Sequence, residues 1–67
     1  MPVYKIIEMV ATSEKSFSEA VKAGYVEAKK TIHGIRNITI VSTDVKVKED
    51  EDKLLFRVRM QLSFELD

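Results

Sequence analysis

The stretch from Leu54 to Leu66 alternates regularly between apolar and other side chains. Every even-numbered position in it is apolar, namely Leu54, Phe56, Val58, Met60, Leu62, Phe64 and Leu66. Successive side chains of a β-strand point to opposite faces, so this pattern predicts a long strand with one continuous apolar face. Such a face has to pack against another element, and the rest of the chain must supply it.

The residues before this strand predict the other arm of a long hairpin. The outgoing strand runs from Arg36 to Lys48 and the returning strand from Lys53 to Leu66. The tip between them is acidic and consists of Glu49, Asp50, Glu51 and Asp52. Runs rich in β-branched and aromatic residues on either side of a short polar segment are typical of a hairpin.

The outgoing strand changes parity along its length. Ile38 and Ile40 are even-numbered, whereas Val45 and Val47 are odd-numbered. A β-bulge within Val41 to Asp44 would restore all four side chains to one face, because the bulge inserts one extra residue. We therefore expect the strand to bend there and its apolar residues to face the helix side.

The first strand is predicted from Val3 to Ala11, and it is apolar on both faces. One face carries Val3, Ile7 and Met9, and the other carries Tyr4, Ile6 and Val10. A single helix can cover only one of these faces. The other face therefore needs a different partner.

A helix is predicted from Phe17 to His33. Ser16 and Glu19 have the spacing of a capping box at its start, and Gly34 is placed to act as a left-handed cap at its end. Gly24 lies in its apolar stripe and costs about 1 kcal/mol of helix propensity relative to alanine. This glycine indicates either the close approach of another backbone or simply a tolerated residue.

The element order β-α-β-β predicts an α+β fold in which a three-stranded antiparallel sheet wraps around one helix. A right-handed crossover from the first strand to the second leaves the third strand free to lie between them. No linker or repeat interrupts the chain, so we expect residues 1–67 to form a single domain.

The chain is short for a self-sufficient core. It has 67 residues, no cysteine for a disulfide and one histidine, His33, which cannot build a zinc site alone. Domains of this size rarely hold more than about 3–5 kcal/mol of stability without additional support. We expect that support to come from oligomerisation.

Composition and charge disfavour several classes of function. Eleven basic and eleven acidic residues leave no net positive charge to attract nucleic acid. No apolar run is long enough to cross a membrane, and the start MPVYKIIEMV does not read as a secretory leader, so we expect a soluble cytoplasmic protein. The chain lacks a glycine-rich phosphate loop, and His33 near a helix end is a poor catalytic base, so we expect no enzyme.

Two places could bind a ligand. The acidic tip, Glu49 to Asp52, offers oxygen ligands to calcium, although it lacks the spacing of an EF-hand and also suits a solvated turn. Arg57 and Arg59 lie on the second face of the last strand, away from the helix. That face is either a solvated or intersubunit surface, or a place where Arg57 donates to an anionic or planar ligand.

Together these segments resemble the dodecin family. The resemblance is carried by Val3-Tyr4-Lys5 in the first strand, Ala11-Thr12-Ser13 in the following turn and Phe64 near the end. It implies a hollow homododecamer of cubic-type symmetry that holds stacked pairs of flavins, either FMN or riboflavin, between subunits. It also implies a role in storage and photoprotection rather than catalysis.

The sequence departs from this family at two ligand positions. Flavin-binding dodecins carry a tryptophan that stacks on the flavin ring and a glutamine that hydrogen-bonds the ring edge. Alignment places Asn37 and Arg57 at these positions, and the chain contains no tryptophan. The change resembles a dodecin subgroup that lacks the tryptophan and is described as calcium-binding or of unassigned role.

Hairpin geometry places Arg57 across from about Asp44, which is seven positions from Asn37, or roughly 23 Å along a strand. A pocket that uses both Asn37 and Arg57 would therefore be formed by more than one subunit. The sequence predicts a homododecameric small-molecule binding and storage protein with a degenerate flavin site. The alternative is a structural or calcium-binding dodecameric shell without flavin.

Overall fold

The computed structural model describes residues 2–66. Its strands are β1 (Tyr4–Ser13), β2 (Ile35–Lys48) and β3 (Lys53–Glu65), its helix is α1 (Phe17–Ala28), and a 3₁₀ turn spans Glu49–Glu51. The three strands form one antiparallel sheet in the order β1-β3-β2. The predicted α+β fold, with the last strand in the centre, is therefore confirmed.

The core lies between the centre of β3 and the helix. Val58, Met60 and Leu62 are fully buried, as the alternation along this strand predicts. Helix α1 faces them with small residues, Ala20, Gly24 and Ala28, which are also buried. Small side chains on this face allow the helix backbone to lie close to the sheet, and larger side chains from β1 and β2 close the edges of the core.

The helix covers only part of the sheet. It packs against β1 and β3, whereas the far end of the hairpin extends beyond it and gives the subunit dimensions of 51 × 21 × 14 Å. Val45, Val47 and Leu54 lie on the helix side of this extension and remain exposed. One subunit therefore leaves apolar surface uncovered on both faces of its sheet.

The predicted bulge in β2 is present. Ile40 pairs with Met60 and Ser42 with Arg59, so Val41 is the extra residue. A second irregularity between Ile35 and Asn37 was not predicted. Ile35 is odd-numbered and Ile38 even-numbered, yet both pack on the core, but the predicted strand began only at Arg36 and so did not include this change of parity.

The helix ends earlier than predicted. It stops at Ala28 rather than His33, because Lys30 and Thr31 donate backbone bonds to carbonyls three residues earlier and tighten the chain into a turn. Ile32 keeps the apolar spacing by packing on the core from this turn. Gly34 does have the expected positive φ, 76°, but it precedes β2 instead of capping the helix.

The start of the helix has the predicted serine cap, whereas the reciprocal bond of a capping box, from the Ser16 N–H to the Glu19 side chain, is not among the hydrogen bonds of residues 2–66. The Ser16 hydroxyl accepts a hydrogen bond of 3.0 Å from the backbone N–H of Glu19, as expected of an N-cap. The first helical residue, Phe17, packs edge-to-face on Phe56 of β3 with ring centres 5.2 Å apart. The cap and this aromatic pair fix where α1 begins over the sheet.

Candidate functional site

The face of the sheet turned away from α1, called here the outer face, carries most of the candidate ligand-binding residues. Strand pairing places on it Tyr4, Ile6, Glu8, Val10 and Thr12 from β1, Asn37, Thr39, Ser42, Asp44 and Lys46 from β2, and Leu55, Arg57, Arg59, Gln61, Ser63 and Glu65 from β3. Both predicted ligand residues, Asn37 and Arg57, thus share this face. Acidic and basic side chains both lie on this face, and no element of the described chain covers it.

Arg57 is paired with a carboxylate on the neighbouring strand. Asp44 lies directly opposite it, and Arg57 Nε and Nη2 donate to the two carboxylate oxygens over 2.7 and 2.6 Å. The hydrogen bond from Arg57 is the main reason that the pKa of Asp44 lies below its usual range. The same bond raises the pKa of Arg57. One edge of the Arg57 guanidinium group is therefore occupied by Asp44.

A second polar network lies beside this pair. Glu8 of β1 accepts hydrogen bonds from Arg59 over 3.1 Å and from Gln61 over 3.2 Å. Both arginines of the outer face are thus matched with one carboxylate each, but from strands on opposite sides of β3. Two ion pairs, one on each side of β3, thus occupy the polar centre of this face.

Asn37 lies far from Arg57 within one subunit. Its amide nitrogen donates to the Thr39 hydroxyl over 3.2 Å, and its backbone pairs with Ser63. Ser63 is six residues along β3 from Arg57, which corresponds to about 20 Å. The structure therefore does not bring the two predicted ligand residues together in a single subunit.

The concave surface next to Arg57 is small. It has a volume of about 140 Å³ and is lined by Val10, Ser42, Asp44, Arg57 and Arg59. Sites that enclose drug-sized ligands generally measure about 300–1,000 Å³. This concave surface has room for a small group and is too small to enclose a drug-sized ligand.

The residues present do not fit the flavin site that the resemblance implies. Asn37, which the resemblance places at the tryptophan position, donates from its amide to Thr39 and offers no aromatic face. The glutamine position is Arg57, which is engaged by Asp44 along one edge of its guanidinium group. Neither residue provides the stacking or the neutral ring-edge contact expected of a flavin site.

The acidic tip is exposed to solvent. Glu49, Asp50 and Glu51 form the 3₁₀ turn, and Asp52 follows it with a left-handed φ of 52°. Within residues 2–66, no three or more carboxylates or histidines are grouped so that they could hold a metal ion in one subunit. The proposed calcium ligands at the tip stay a prediction.

Sequence reasoning missed the partners of the arginines, although it located the arginines correctly. The predicted register already placed Asp44 opposite Arg57, and two opposite charges at facing positions would have been enough to suggest an ion pair. Glu8 gave no comparable signal. Its position next to Arg59 and Gln61 depends on how β1 pairs with β3, a contact between distant parts of the chain.

Fold and outer face together define a small α+β protein of the β-α-β-β type, with one helix on one side of the sheet and a charge-paired polar surface on the other. The family model for dodecins matches residues 3–67. The chain therefore belongs to the dodecin family. None of the helices in residues 2–66 has the length and apolar character needed to span a membrane.

Individual relatives support this assignment. The calcium dodecin of Mycobacterium tuberculosis is 27% identical over 66 residues, covering 98% of this chain and 92% of the relative. Its crystal structure, described as that of a calcium-chelating antigen with a novel calcium-binding site, superposes with a TM-score of 0.86 at 26% identity over 97% of this chain and 91% of its own. A variant of the Thermus thermophilus dodecin gives a TM-score of 0.91 at 25% identity over 100% of this chain and 97% of its own.

Proposed function

We propose that this chain is a non-enzymatic, dodecin-type small-molecule binding and storage subunit that works as a homododecamer, and that its flavin site is degenerate. In the proposed assembly the outer faces of neighbouring subunits meet and form the binding pockets. The whole chain serves as one such domain. Since it folds without cysteine, cytoplasmic residence is part of the same proposal.

The oligomer is supported by the apolar residues that the subunit leaves uncovered. On the outer face of β1, Tyr4, Ile6 and Val10 are 50%, 58% and 49% exposed. Val45, Val47 and Leu54 are likewise exposed on the other face of the sheet. Grouped apolar side chains of this kind on a small protein generally mark an interaction surface.

The observation that carries the proposal of a degenerate flavin site is the pair formed by Asp44 and Arg57. A flavin that contacts the sheet at this position would have to use a guanidinium group already bound to a carboxylate. It would also lack the aromatic platform that the family places at Asn37. We therefore expect flavin binding to be weak, and the stored ligand to be another small molecule.

A catalytic role has little support from the chemistry of this face. The pKa of Asp44 lies below its usual range because Arg57 donates to it, so the carboxylate is held in its ionised form. A general acid or base works best with a pKa near the operating pH. The pair is suited to fixing side chains and charges rather than to transferring protons.

Calcium binding is the second candidate function. The similarity to calcium dodecin and the acidic residues Glu49 to Asp52 favour it. Because one subunit does not group enough carboxylates within residues 2–66, the ion would need ligands from more than one subunit. A rise in melting temperature with calcium, but not with magnesium, would support this function.

Native mass spectrometry combined with a riboflavin titration tests the main proposal. The expected result is a mass of twelve subunits without bound flavin, together with weak quenching of riboflavin fluorescence. A folded monomer at micromolar concentration would refute the assembly. Tight riboflavin binding by the unaltered protein would refute the degenerate flavin site.

A further inference from the structure

Asp44 controls what Arg57 can do on the outer face. Its carboxylate occupies one edge of the guanidinium group through Nε and Nη2, and it holds the side chain toward β2. Such two-point pairs are the best-defined contacts that arginine makes with a carboxylate, because both groups are planar and match in spacing. A ligand that needs the same edge must compete with Asp44.

The pair also cancels the charge of Arg57 locally. A flavin ring edge offers mainly hydrogen-bond acceptors, which a free guanidinium group could satisfy with two N–H donors. Asp44 offsets the positive charge and occupies the Nε and Nη2 donors of one edge, so a ring edge could reach only the Nη1 side of a guanidinium group whose charge is already paired. The exposed pair is weak enough to be displaced but strong enough to reduce the affinity of a competitor.

We propose that Asp44 is a specificity-determining residue that suppresses flavin binding by engaging Arg57. This inference rests on the proposed function, because it requires a ligand pocket to form where the outer faces meet. It assigns the loss of flavin affinity not only to the two substituted ligand positions, Asn37 and Arg57, but also to a third residue that no ligand has to touch.

The outer face supplies a matched control. Glu8 is a carboxylate on the same face that binds Arg59 and Gln61, two and four positions along β3 from Arg57. Glu8→Gln and Asp44→Asn change the charge of the subunit equally and preserve side-chain size. Only Asp44→Asn removes the charged two-oxygen contact with Arg57, because asparagine keeps a single, neutral acceptor oxygen.

The test compares the affinity of assembled wild type, Asp44→Asn and Glu8→Gln for riboflavin, which is neutral, by fluorescence quenching. We expect Asp44→Asn to bind about three- to fivefold more tightly than wild type, the size expected when an exposed ion pair no longer competes. Glu8→Gln should stay close to wild type. Adding Arg57→Ala to Asp44→Asn should remove the gain.

Several outcomes would overturn the inference. These are equal gains in the two single variants, a gain that persists without Arg57, or no measurable gain up to the solubility limit of riboflavin. Native mass spectrometry on each variant verifies the assembly, and Asp44→Ser replaces Asp44→Asn if the latter does not assemble. The proposed function is judged separately, from the assembly and affinity of wild type, whereas this inference is judged from the ratio between variants.

Discussion

Gly24 lies directly against Met60. A Cβ atom added at Gly24 would overlap the terminal methyl carbon of Met60 and would lie 3.1 Å from Cβ of Ala11. Met60 is fully buried, so its side chain cannot move into solvent to make room. The sequence suggested the close approach of another backbone or a tolerated glycine, whereas the atoms nearest to Gly24 belong to the side chains of Met60 and Ala11.

Gly24→Ala should therefore destabilise the protein despite its better helix propensity. Alanine gains about 1 kcal/mol in a helix, whereas overpacking a core costs about 1–3 kcal/mol, so we expect a net loss of about 1 kcal/mol. Urea unfolding of the assembled protein measures this change in the free energy of unfolding. Met60→Leu, which removes the overlapping methyl, should recover part of the loss in the double variant. Ala23→Gly at an exposed position calibrates helix propensity, and a stabilised Gly24→Ala would contradict the prediction.

Ser16→Ala should lower stability by about 1 kcal/mol per subunit. The serine hydroxyl accepts the hydrogen bond from Glu19 N–H, and alanine leaves that group without its partner. The matched control is Ser18→Ala, which changes the same residue type within the first turn but not the cap. Equal thermal stability of Ser16→Ala and wild type, at unchanged assembly size, would show that the cap does not contribute.

The sequence predicted features that depend on residues close together in the chain better than features that depend on distant residues. The alternation along β3, the bulge at Val41 and the cap at Ser16 depend on local spacing, and all three were predicted correctly. The end of α1 was not, because Ile32 continues the apolar spacing while the chain has already turned. Periodicity reports which residues face the core and does not distinguish a helix from a turn that packs against it.

The candidate site was predicted only in part for the same reason. Arg57 and its neighbour Asp44 belong to one hairpin, whose register follows from its tip, and their facing positions could be worked out. Glu8 comes from β1 and is separated from its partner Arg59 by 51 positions. That contact depends on the pairing of distant strands, which no local pattern specifies.

The pair of Asp44 and Arg57 should make stability sensitive to acid. The pKa of Asp44 in the folded protein lies below its usual value of 3.8, so the pair contributes stability above about pH 4 and loses it as the pH falls through the lowered pKa. Asp44→Asn should therefore lose less stability than wild type between pH 5 and about pH 3. Urea midpoints at low ionic strength measure this, and 1 M salt should reduce the difference.

Asp50→Asn provides the charge-matched control for this experiment. Asp50 lies at the exposed tip and makes no salt bridge among the residues that the structure describes. The loss of stability of Asp50→Asn on acidification should resemble that of wild type more closely than the loss of Asp44→Asn does. If both variants change the loss of stability at low pH equally, net charge rather than the pair with Arg57 explains the pH dependence.

The acidic tip should be dispensable for folding. Replacing Glu49, Asp50 and Glu51 with asparagine and Asp52 with glycine should leave folding and the proposed assembly unchanged, because a turn needs mainly residues that tolerate its backbone angles. Asp52→Val is the contrasting variant, since a β-branched residue strongly disfavours the positive φ of 52° at this position. Loss of assembly in the fourfold variant, or loss of a calcium-dependent rise in melting temperature, would make the tip a functional site.

The family ligand positions can be restored directly. Asn37→Trp combined with Arg57→Gln should produce strong quenching of riboflavin fluorescence, because tryptophan supplies a stacking face and glutamine a neutral donor and acceptor for the ring edge. Removing Arg57 also ends its pairing with Asp44, whose exposed carboxylate can remain solvated.

The gain in riboflavin quenching should require the intact oligomer, because Asn37 and Arg57 lie about 20 Å apart in one subunit. It should disappear under conditions that dissociate the oligomer. Each single substitution should restore less than the pair. A double variant that assembles but still does not quench riboflavin would mean that the pocket differs from a flavin site at further positions.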